Sequence, residues 1–191
     1  MPGDDRDIRA GVKDVLARLH RQSNPAGATL LIYHRINGAT SNELDLTVDA
    51  FEEQLDLLAG HDVISIDAAL DRLDQGLAKP GIVLTFDDGF DDVYLNAWPL
   101  LRERALPFTI YLASAYVSSP MHWEGSTATG PNGRGLSWDQ LAEMAESGLC
   151  TVGNHTHNHV RPEALTTAEL DLCNEVVQNA LGVTPRHFTY P

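Results

Sequence analysis

Short apolar runs alternate with amphipathic segments along the chain. Apolar runs of strand length predict buried strands at residues 28–34, 63–66, 81–86, 108–113, 150–155 and 187–190. Apolar residues at helical spacing predict helices at 6–22, 47–59, 91–104, 138–147 and 167–181, and one more helix capped by Asp67. This alternation of strand and helix predicts an α/β fold with a parallel sheet, either a barrel or a doubly wound sheet.

Residues that favour helix starts precede several of these segments. Thr47 is placed to cap the helix at 47–59. Ser137 with Gln140, and Thr166 with Glu169, have the spacing of a capping box. These start signals support the division of the chain into helices that separate the strands.

Composition limits both the architecture and the partners. The length of 191 residues and the 43% hydrophobic content fit one packed domain, residues 28–191, preceded by an N-terminal helical extension, residues 1–27. The 27 acidic residues outnumber the 13 basic ones, which gives a formal charge of −14. Such a surface repels phosphate groups, so we expect no nucleic acid partner.

The N-terminal residues carry no recognisable targeting signal. No apolar run reaches the ~20 residues that a membrane-spanning helix needs. Residues 1–22 are charged and lack the apolar core of a signal peptide, so we expect a cytoplasmic protein. The helix at 6–22 is interpreted as a packing helix, and a helix that lies on a membrane surface is the alternative.

Polar residues follow directly after three of the predicted strands. His34 ends the first strand, Asp87 and Asp88 follow the strand at 81–86, and His155 ends the strand at 150–155. In parallel α/β folds the chemistry gathers at the carboxyl ends of the strands. The sequence therefore predicts that these side chains lie on one rim of the sheet.

The segment TFDDG (85–89) places two adjacent carboxylates after a buried strand. Such a pair is costly to bury unless a metal ion or a shared proton neutralises it. Gly89 permits the tight turn that lets both side chains face a pocket. The alternative is that Asp87 or Asp88 caps the helix that begins near residue 91.

The segment HTHNH (155–159) carries alternating histidines. His155 and His159 are four residues apart, so a turn can direct both at one metal ion, whereas His157 would point elsewhere. The alternative is a polar surface turn. Two histidines and one carboxylate would leave a coordination position for water, as in catalytic sites, and a second carboxylate beside them could act as a general base.

Taken together, these motifs resemble those of the polysaccharide deacetylases, carbohydrate esterase family four, also called the NodB-homology domain. The resemblance is carried by YHRI (33–36), VLTFDDGF (83–90), HTxxH (155–159) and FTYP (188–191). It extends from about residue 29 to the last residue.

The resemblance implies a partly open, distorted (β/α) barrel that removes N- or O-acetyl groups from carbohydrates. It implies that Asp87 is the catalytic base and that Asp88, His155 and His159 bind one divalent metal ion. Zinc is the expected ion, with cobalt, nickel and iron as alternatives. The acetylated carbohydrate is expected to contact residues on the same rim and in the loop 118–135, namely His34, Trp123 and Tyr190. For Trp123 the alternative is a ring that packs under its own loop.

Two departures from the family pattern affect these expectations. Thr189 stands where many members have an arginine that orders the catalytic aspartate, and the sequence shows no Asp/Trp segment and no Leu-x-His segment, which supplies the acid. We therefore expect a domain whose C-terminal strands are missing from this chain and that self-associates through the incomplete barrel edge. The alternatives are an amide or cyclic-imide hydrolase on the same scaffold and a catalytically impaired carbohydrate-binding domain.

Overall fold

The computed structural model describes residues 27–76, 79–128 and 133–191. The predicted helix at 6–22 lies outside the described residues, as do residues 1–26 of the predicted extension and the middle of the loop predicted at 118–135.

A four-stranded parallel sheet forms the centre of the domain. The strands in the described residues are β1 (Ala28–Tyr33), β2 (Arg35–Ile36), β3 (Asp45–Leu46), β4 (Gly81–Phe86), β5 (Phe108–Leu112) and β6 (Cys150–Asn154). The main sheet has the order β1-β4-β5-β6, and β2 pairs with β3 in a small separate sheet. Leu84 of β4 lies opposite Leu31 on one side and Phe108 on the other.

Two of the predicted strands are reduced to single bridges. The run at 63–66 pairs only through Val63, which bridges Ile82. Ser65 ends it, because its hydroxyl accepts a hydrogen bond from the backbone of Ala68 (3.1 Å) and starts a helix at Ile66. The prediction that Asp67 caps this helix is therefore wrong.

The run at 187–190 pairs with β6 only where Phe188 bridges Asn154. Pro185 and Pro191 flank this run, and neither has a backbone N–H that could extend the ladder.

Helices connect the parallel strands. They are α1 (Val48–Leu57), α2 (Ile66–Asp74), α3 (Trp98–Glu103), α4 (Trp138–Glu146) and α5 (Thr167–Leu181). The cap at Thr47 and the capping box of Ser137 with Gln140 form as predicted. Only half of the second predicted box forms: Thr166 accepts from the backbone of Glu169, but the Glu169 carboxylate turns away to Asn158.

The predicted helix at 91–104 is interrupted near its start. Residues Val93–Ala97 form a π-helical turn that continues into α3. Pro99 lies in the first turn of α3, where it lacks an N–H and its ring crowds the carbonyl four residues earlier. The wider π turn accommodates that clash.

The core lies between the sheet and its helices and is rich in aromatic rings. Phe86 of β4 stacks on Tyr33 at 5.2 Å and meets Phe108 edge-on at 5.8 Å, and Phe51 of α1 packs against both Tyr33 and Phe86. Burial of these rings anchors β4, the strand that leads into the two aspartates.

The observed parallel sheet with its helices confirms the predicted α/β fold. Within the described ranges the sheet does not close into a barrel, and β1 is its edge strand. Leu30 and Ile32 on β1 are 47% and 60% exposed, which is unusual for a parallel strand. None of the helices in these ranges is both long and apolar enough to cross a membrane.

Candidate metal centre

The carboxyl ends of three strands bring the predicted polar residues to one rim. Asp87 and Asp88 follow β4, His155 follows β6 and His34 follows β1. The backbone N–H of Asp87 donates to Tyr33 (2.9 Å), and that of His155 donates to Leu112 of β5 (3.1 Å). The sheet hydrogen bonds therefore continue past the strand ends and place these segments side by side.

Asp88, His155 and His159 converge around one point. Oδ1 of Asp88 lies 3.2 Å from Nε2 of His155 and 3.0 Å from Nε2 of His159. The three ligand atoms lie within 4.8 Å of one another, and all three side chains are largely buried. One carboxylate oxygen and two imidazole nitrogens at this spacing fit a divalent ion and leave further coordination positions for water or substrate.

The ring orientation of each histidine is fixed from outside the cluster. Nδ1 of His155 lies 3.1 Å from the carbonyl oxygen of Thr189, so its protonated Nδ1 donates there and its Nε2 faces Asp88. The ring of His159 stacks on Trp123, with 4.1 Å between the ring centroids. Thr189 thus supports a predicted metal ligand through its backbone rather than through its side chain.

The backbone around the cluster adopts several left-handed conformations. Asp88, Thr156 and His159 have φ angles of 73°, 64° and 53°. Non-glycine residues rarely adopt such angles, and those that do concentrate at functional sites. Gly89 has a φ of 90°, and a Cβ there would lie 2.6 Å from the Leu112 side chain, so any other residue would be strained and would have to displace Leu112.

Asp87 lies beside the cluster, but its side chain takes no part in the contacts that join Asp88 to the two histidines. It is 7% exposed, and its buried Oδ1 accepts no hydrogen bond from the described part of the chain. The following helical segment begins at Asp91, and within the described residues no backbone N–H of that segment donates to the carboxylate of Asp87 or Asp88. The helix-cap alternative is therefore wrong.

The two neighbouring carboxyl groups have opposite pKa shifts. Burial raises the pKa of Asp87 above its ordinary value, against the opposing charges of His155 and His34. Burial acts on Asp88 in the same direction, but hydrogen bonds from His155 and His159 hold its pKa well below the usual range. Asp88 is thus suited to remain an ionised ligand, whereas Asp87 is suited to accept a proton.

An open cleft of about 150 Å³ contains the cluster and the other predicted site residues. Its lining is His34, Leu44, Asp87, Asp88, Trp123, Gly125, Thr127, His155, His159, Tyr190 and Pro191. The structure therefore brings His34, Trp123 and Tyr190 to the same cleft as Asp87. His157 does not line it, because its Nδ1 lies 2.8 Å from the hydroxyl of Ser114.

A buried ion pair beneath the site was not anticipated from the sequence. Arg35 is fully buried, donates from Nε to Asp92 (2.8 Å), and lies over the ring of Phe90 at 4.3 Å. Asp92 also accepts from the backbone of Ile36 (3.1 Å), and burial raises its pKa to about 6. Arg35 further donates to the carbonyl of Thr127 in the cleft wall (3.2 Å).

This arrangement is typical of metal-dependent hydrolases: a buried Asp–His–His cluster beside a second carboxylate at the carboxyl edge of a parallel sheet. The family model of the polysaccharide deacetylases matches residues 74–191, and the chain belongs to that family.

Curated relatives are named as deacetylases. The protein YxkH of Bacillus subtilis (strain 168), named as a polysaccharide deacetylase, is 27% identical over 151 residues, which are 76% of this chain and 48% of YxkH. The poly-β-1,6-N-acetyl-D-glucosamine N-deacetylase of Staphylococcus epidermidis is 30% identical over 116 residues, 59% of this chain and 37% of that protein. The chain thus spans half or less of the length of these relatives.

Solved structures share the fold. IcaB from Ammonifex degensii has a TM-score of 0.73 and 29% identity, over 87% of this chain and 74% of that one. The Streptococcus pyogenes deacetylase PplD, solved in complex with acetate, has a TM-score of 0.71 and 25% identity, over the same shares of the two chains.

Proposed function

We propose that this domain is a metal-dependent carbohydrate deacetylase that hydrolyses the acetamido groups of a polymer of N-acetylated amino sugars. The observation that carries this proposal is the position of Asp87, whose buried Oδ1 accepts no hydrogen bond within the described ranges and lies beside the Asp88–His155–His159 cluster. The N-deacetylase relatives favour an N-acetyl over an O-acetyl substrate.

Asp88, His155 and His159 would hold a single divalent ion, which we propose is zinc, with cobalt, nickel and iron as alternatives. When bound, the ion would supply Lewis-acid activation of water and of the acetyl carbonyl group. The donor set, one carboxylate and two imidazoles, suits this role and leaves room for substrate.

The other residues of the cleft have distinct proposed roles. Asp87 would take a proton from the attacking water, for which its raised pKa is suited. Trp123 and Tyr190 would contact the sugar through their rings, and His34 would contact it from the β1 end. Because His34 lines the cleft and His157 does not, His34 is the better candidate within the chain to protonate the leaving amine.

The shape of the site favours a polymer over a small cyclic amide. Beyond Trp123 and Pro191 the cleft continues into a second depression of about 600 Å³, whose lining includes Arg161 and Ala164. A closed site would be expected for a small metabolite, so the amide or cyclic-imide hydrolase ranks second. A carbohydrate-binding domain without activity would not need a buried carboxylate such as Asp87 beside the metal cluster.

Acetate release tests this proposal. The purified domain, loaded with zinc, should release acetate from an oligomer of N-acetylglucosamine, and metal analysis should find about one ion per chain. Acetate from O-acetylated glycans alone would contradict the N-deacetylase assignment. Binding of glycan without any acetate release would instead favour the impaired binding domain.

The exposed edge strand supports a further proposal about assembly. Leu30 and Ile32 give β1 exposed apolar surface, and no other strand in the described part of the chain pairs with its outer edge, so we propose that the chain self-associates through this edge. A mass measurement in solution that gives a monomer at all concentrations would contradict it. The cytoplasmic location and the peripheral membrane alternative stay predictions.

A further inference from the structure

The turn that carries His155 and His159 is held in an unfavourable backbone conformation. Thr156 and His159 are both left-handed, with φ angles of 64° and 53°. This conformation costs free energy in any non-glycine residue, and most in a β-branched one such as threonine. Such a turn persists only where surrounding groups hold it.

Some of the contacts that hold the turn are local. Oδ1 of Asn154 accepts from the backbone of Thr156 (2.8 Å), and the Thr156 hydroxyl accepts from the backbone of Val160 (3.0 Å). Other contacts come from the segment after β5, where Ala115 donates to the carbonyl of His157 (2.9 Å). None of these contacts involves Asn158, the residue directly before His159. The carbonyl of Asn158 accepts one long hydrogen bond from the Tyr116 hydroxyl (3.4 Å).

Glu169 of α5 makes the closer contacts with Asn158. Its two carboxylate oxygens accept from the backbone N–H and from the side-chain Nδ2 of Asn158, each at 2.8 Å. Because the acceptor is charged and both of its oxygens are used, the pair is stronger and more directional than a single neutral hydrogen bond. Asn158 is thereby fixed on the N-terminal side of His159.

The position of Glu169 on α5 shows that its bonds to Asn158 replace the usual hydrogen bond of a capping box. At the third residue of α5, the Thr-x-x-Glu pattern would direct the carboxylate back to the N–H of Thr166. The carboxylate instead faces the histidine turn. The helix that carries it is a rigid support, because Cys173 and Val177 are fully buried in the core.

We propose that Glu169 is a positioning residue for the metal centre: through its paired hydrogen bonds to Asn158 it maintains the left-handed His159 and keeps Nε2 of His159 opposite Asp88. The inference rests on the proposed function in one respect, that the Asp88–His155–His159 cluster binds a metal ion.

The variant that tests it is Glu169→Gln. Glutamine keeps the size of the side chain, but its NH₂ group would face a donor of Asn158, so one of the two bonds is lost. The zinc dissociation constant, measured against a competing chelator, should rise about tenfold or more, as is typical for the loss of a group that orients a metal ligand. The absorption bands of bound Co²⁺ should also shift.

Glu175→Gln provides the matched control. Glu175 lies on the same helix with an exposed side chain, so the same chemical change there should leave the zinc dissociation constant and the Co²⁺ spectrum unaltered. Asn158→Ala should reproduce the effect of Glu169→Gln. The double variant should bind zinc no more weakly than either single variant, because both changes remove one contact.

The outcomes separate this inference from the proposed function. If Glu169→Gln lowers only the thermal midpoint of the metal-free protein, with zinc affinity and Co²⁺ spectrum as in the unmodified chain, Glu169 is merely structural and the inference is wrong. If the unmodified chain binds zinc and releases acetate, that result leaves the proposed function intact. If the unmodified chain binds no divalent ion, the proposed function fails, and the inference fails with it. Should Glu169→Gln not fold, Asn158→Ala decides the question, since it keeps the carboxylate on α5.

Discussion

The indole ring of Trp123 stacks on the imidazole ring of His159, with 4.1 Å between their centroids and 25° between their planes. The ring of Tyr116 packs edge-on against Trp123, with 4.9 Å between the centroids. Trp123 therefore does two things in the structure: it forms a wall of the cleft, and it restricts the ring of a proposed metal ligand. The expectation that Trp123 meets the sugar stays a prediction.

Replacing Trp123 should affect metal binding as well as sugar binding. Trp123→Ala removes the stacked surface, so His159 gains ring mobility and the zinc dissociation constant should rise about tenfold. Trp123→Phe keeps part of the stack and should give a smaller increase. Metal binding should also change the tryptophan fluorescence of the unmodified chain and of Trp138→Phe, but not that of Trp123→Phe. If Trp123→Ala and Trp123→Phe bound zinc as tightly as the unmodified chain, the stack would not support His159.

Removal of either proposed histidine ligand should abolish tight metal binding. His155→Ala or His159→Ala leaves only two ligands in the cluster, while the aromatic core that stabilises the fold is untouched. Metal content after dialysis and far-UV circular dichroism measure the two effects. His61→Ala, at an exposed position, is the control. Full metal content in both ligand variants would contradict the proposed ligands.

Asp87→Asn should separate metal binding from catalysis. The amide has nearly the same shape as the carboxylate, but it cannot take a proton from water. Acetate release should fall by about 10²–10⁴-fold, the usual contribution of a general base, with unchanged zinc content. Activity within a few-fold of the unmodified chain would mean that the base lies elsewhere. Asp171→Asn, on the exposed face of α5, should leave both quantities unchanged.

The Arg35–Asp92 pair should be important for stability. Asp92→Asn removes the carboxylate that accepts the Nε hydrogen bond of the fully buried Arg35, and breaking a buried ion pair typically costs about 3–5 kcal/mol. The free energy of unfolding, measured by urea denaturation, should fall by about 3–5 kcal/mol. Because Arg35 also donates to Thr127, the cleft wall should loosen in the same variant. A loss below about 1 kcal/mol, the range of exposed ion pairs, would contradict the buried role of the pair.

Local signals in the sequence predicted the elements that depend on neighbours in the chain. Thr47 and Ser137 cap the helices that their patterns indicate, because capping is a contact between residues three apart. Ser65 was missed in favour of Asp67, since either side chain could have served and the choice depends on where the helix packs. The π turn at Val93–Ala97 was also missed, because hydrophobic periodicity does not distinguish a π turn from a regular α-helical turn.

The rim of polar residues was also predictable, because parallel strands share the direction of their carboxyl ends. The motifs TFDDG and HTHNH predicted that Asp87, Asp88, His155 and His159 lie close together. In the structure all four line one cleft, and the last three form the cluster. What these residues bind is still a proposal.

The pairing of Arg35 with Asp92 and the stack of Trp123 on His159 were beyond reach of the sequence. Each pair joins residues more than 30 positions apart, and the sequence around one residue does not indicate the other. The diversion of Glu169 from its helix cap to Asn158 is a similar case, because a carboxylate selects between two donors according to which one the tertiary structure presents.

The sequence by itself determined the order of helices and strands, the parallel sheet, and which side chains stand at its carboxyl edge, because these follow from periodicity and from the direction of the chain. Only the tertiary structure decided how closely those side chains converge, that Oδ1 of Asp87 accepts no hydrogen bond from the described residues, and which contacts hold the group in place. Distances of 3.0 to 3.2 Å around Asp88 depend on packing between β4, β6 and the turns that follow them. That packing is a property of the assembled core, where close contact fixes positions that no local pattern contains.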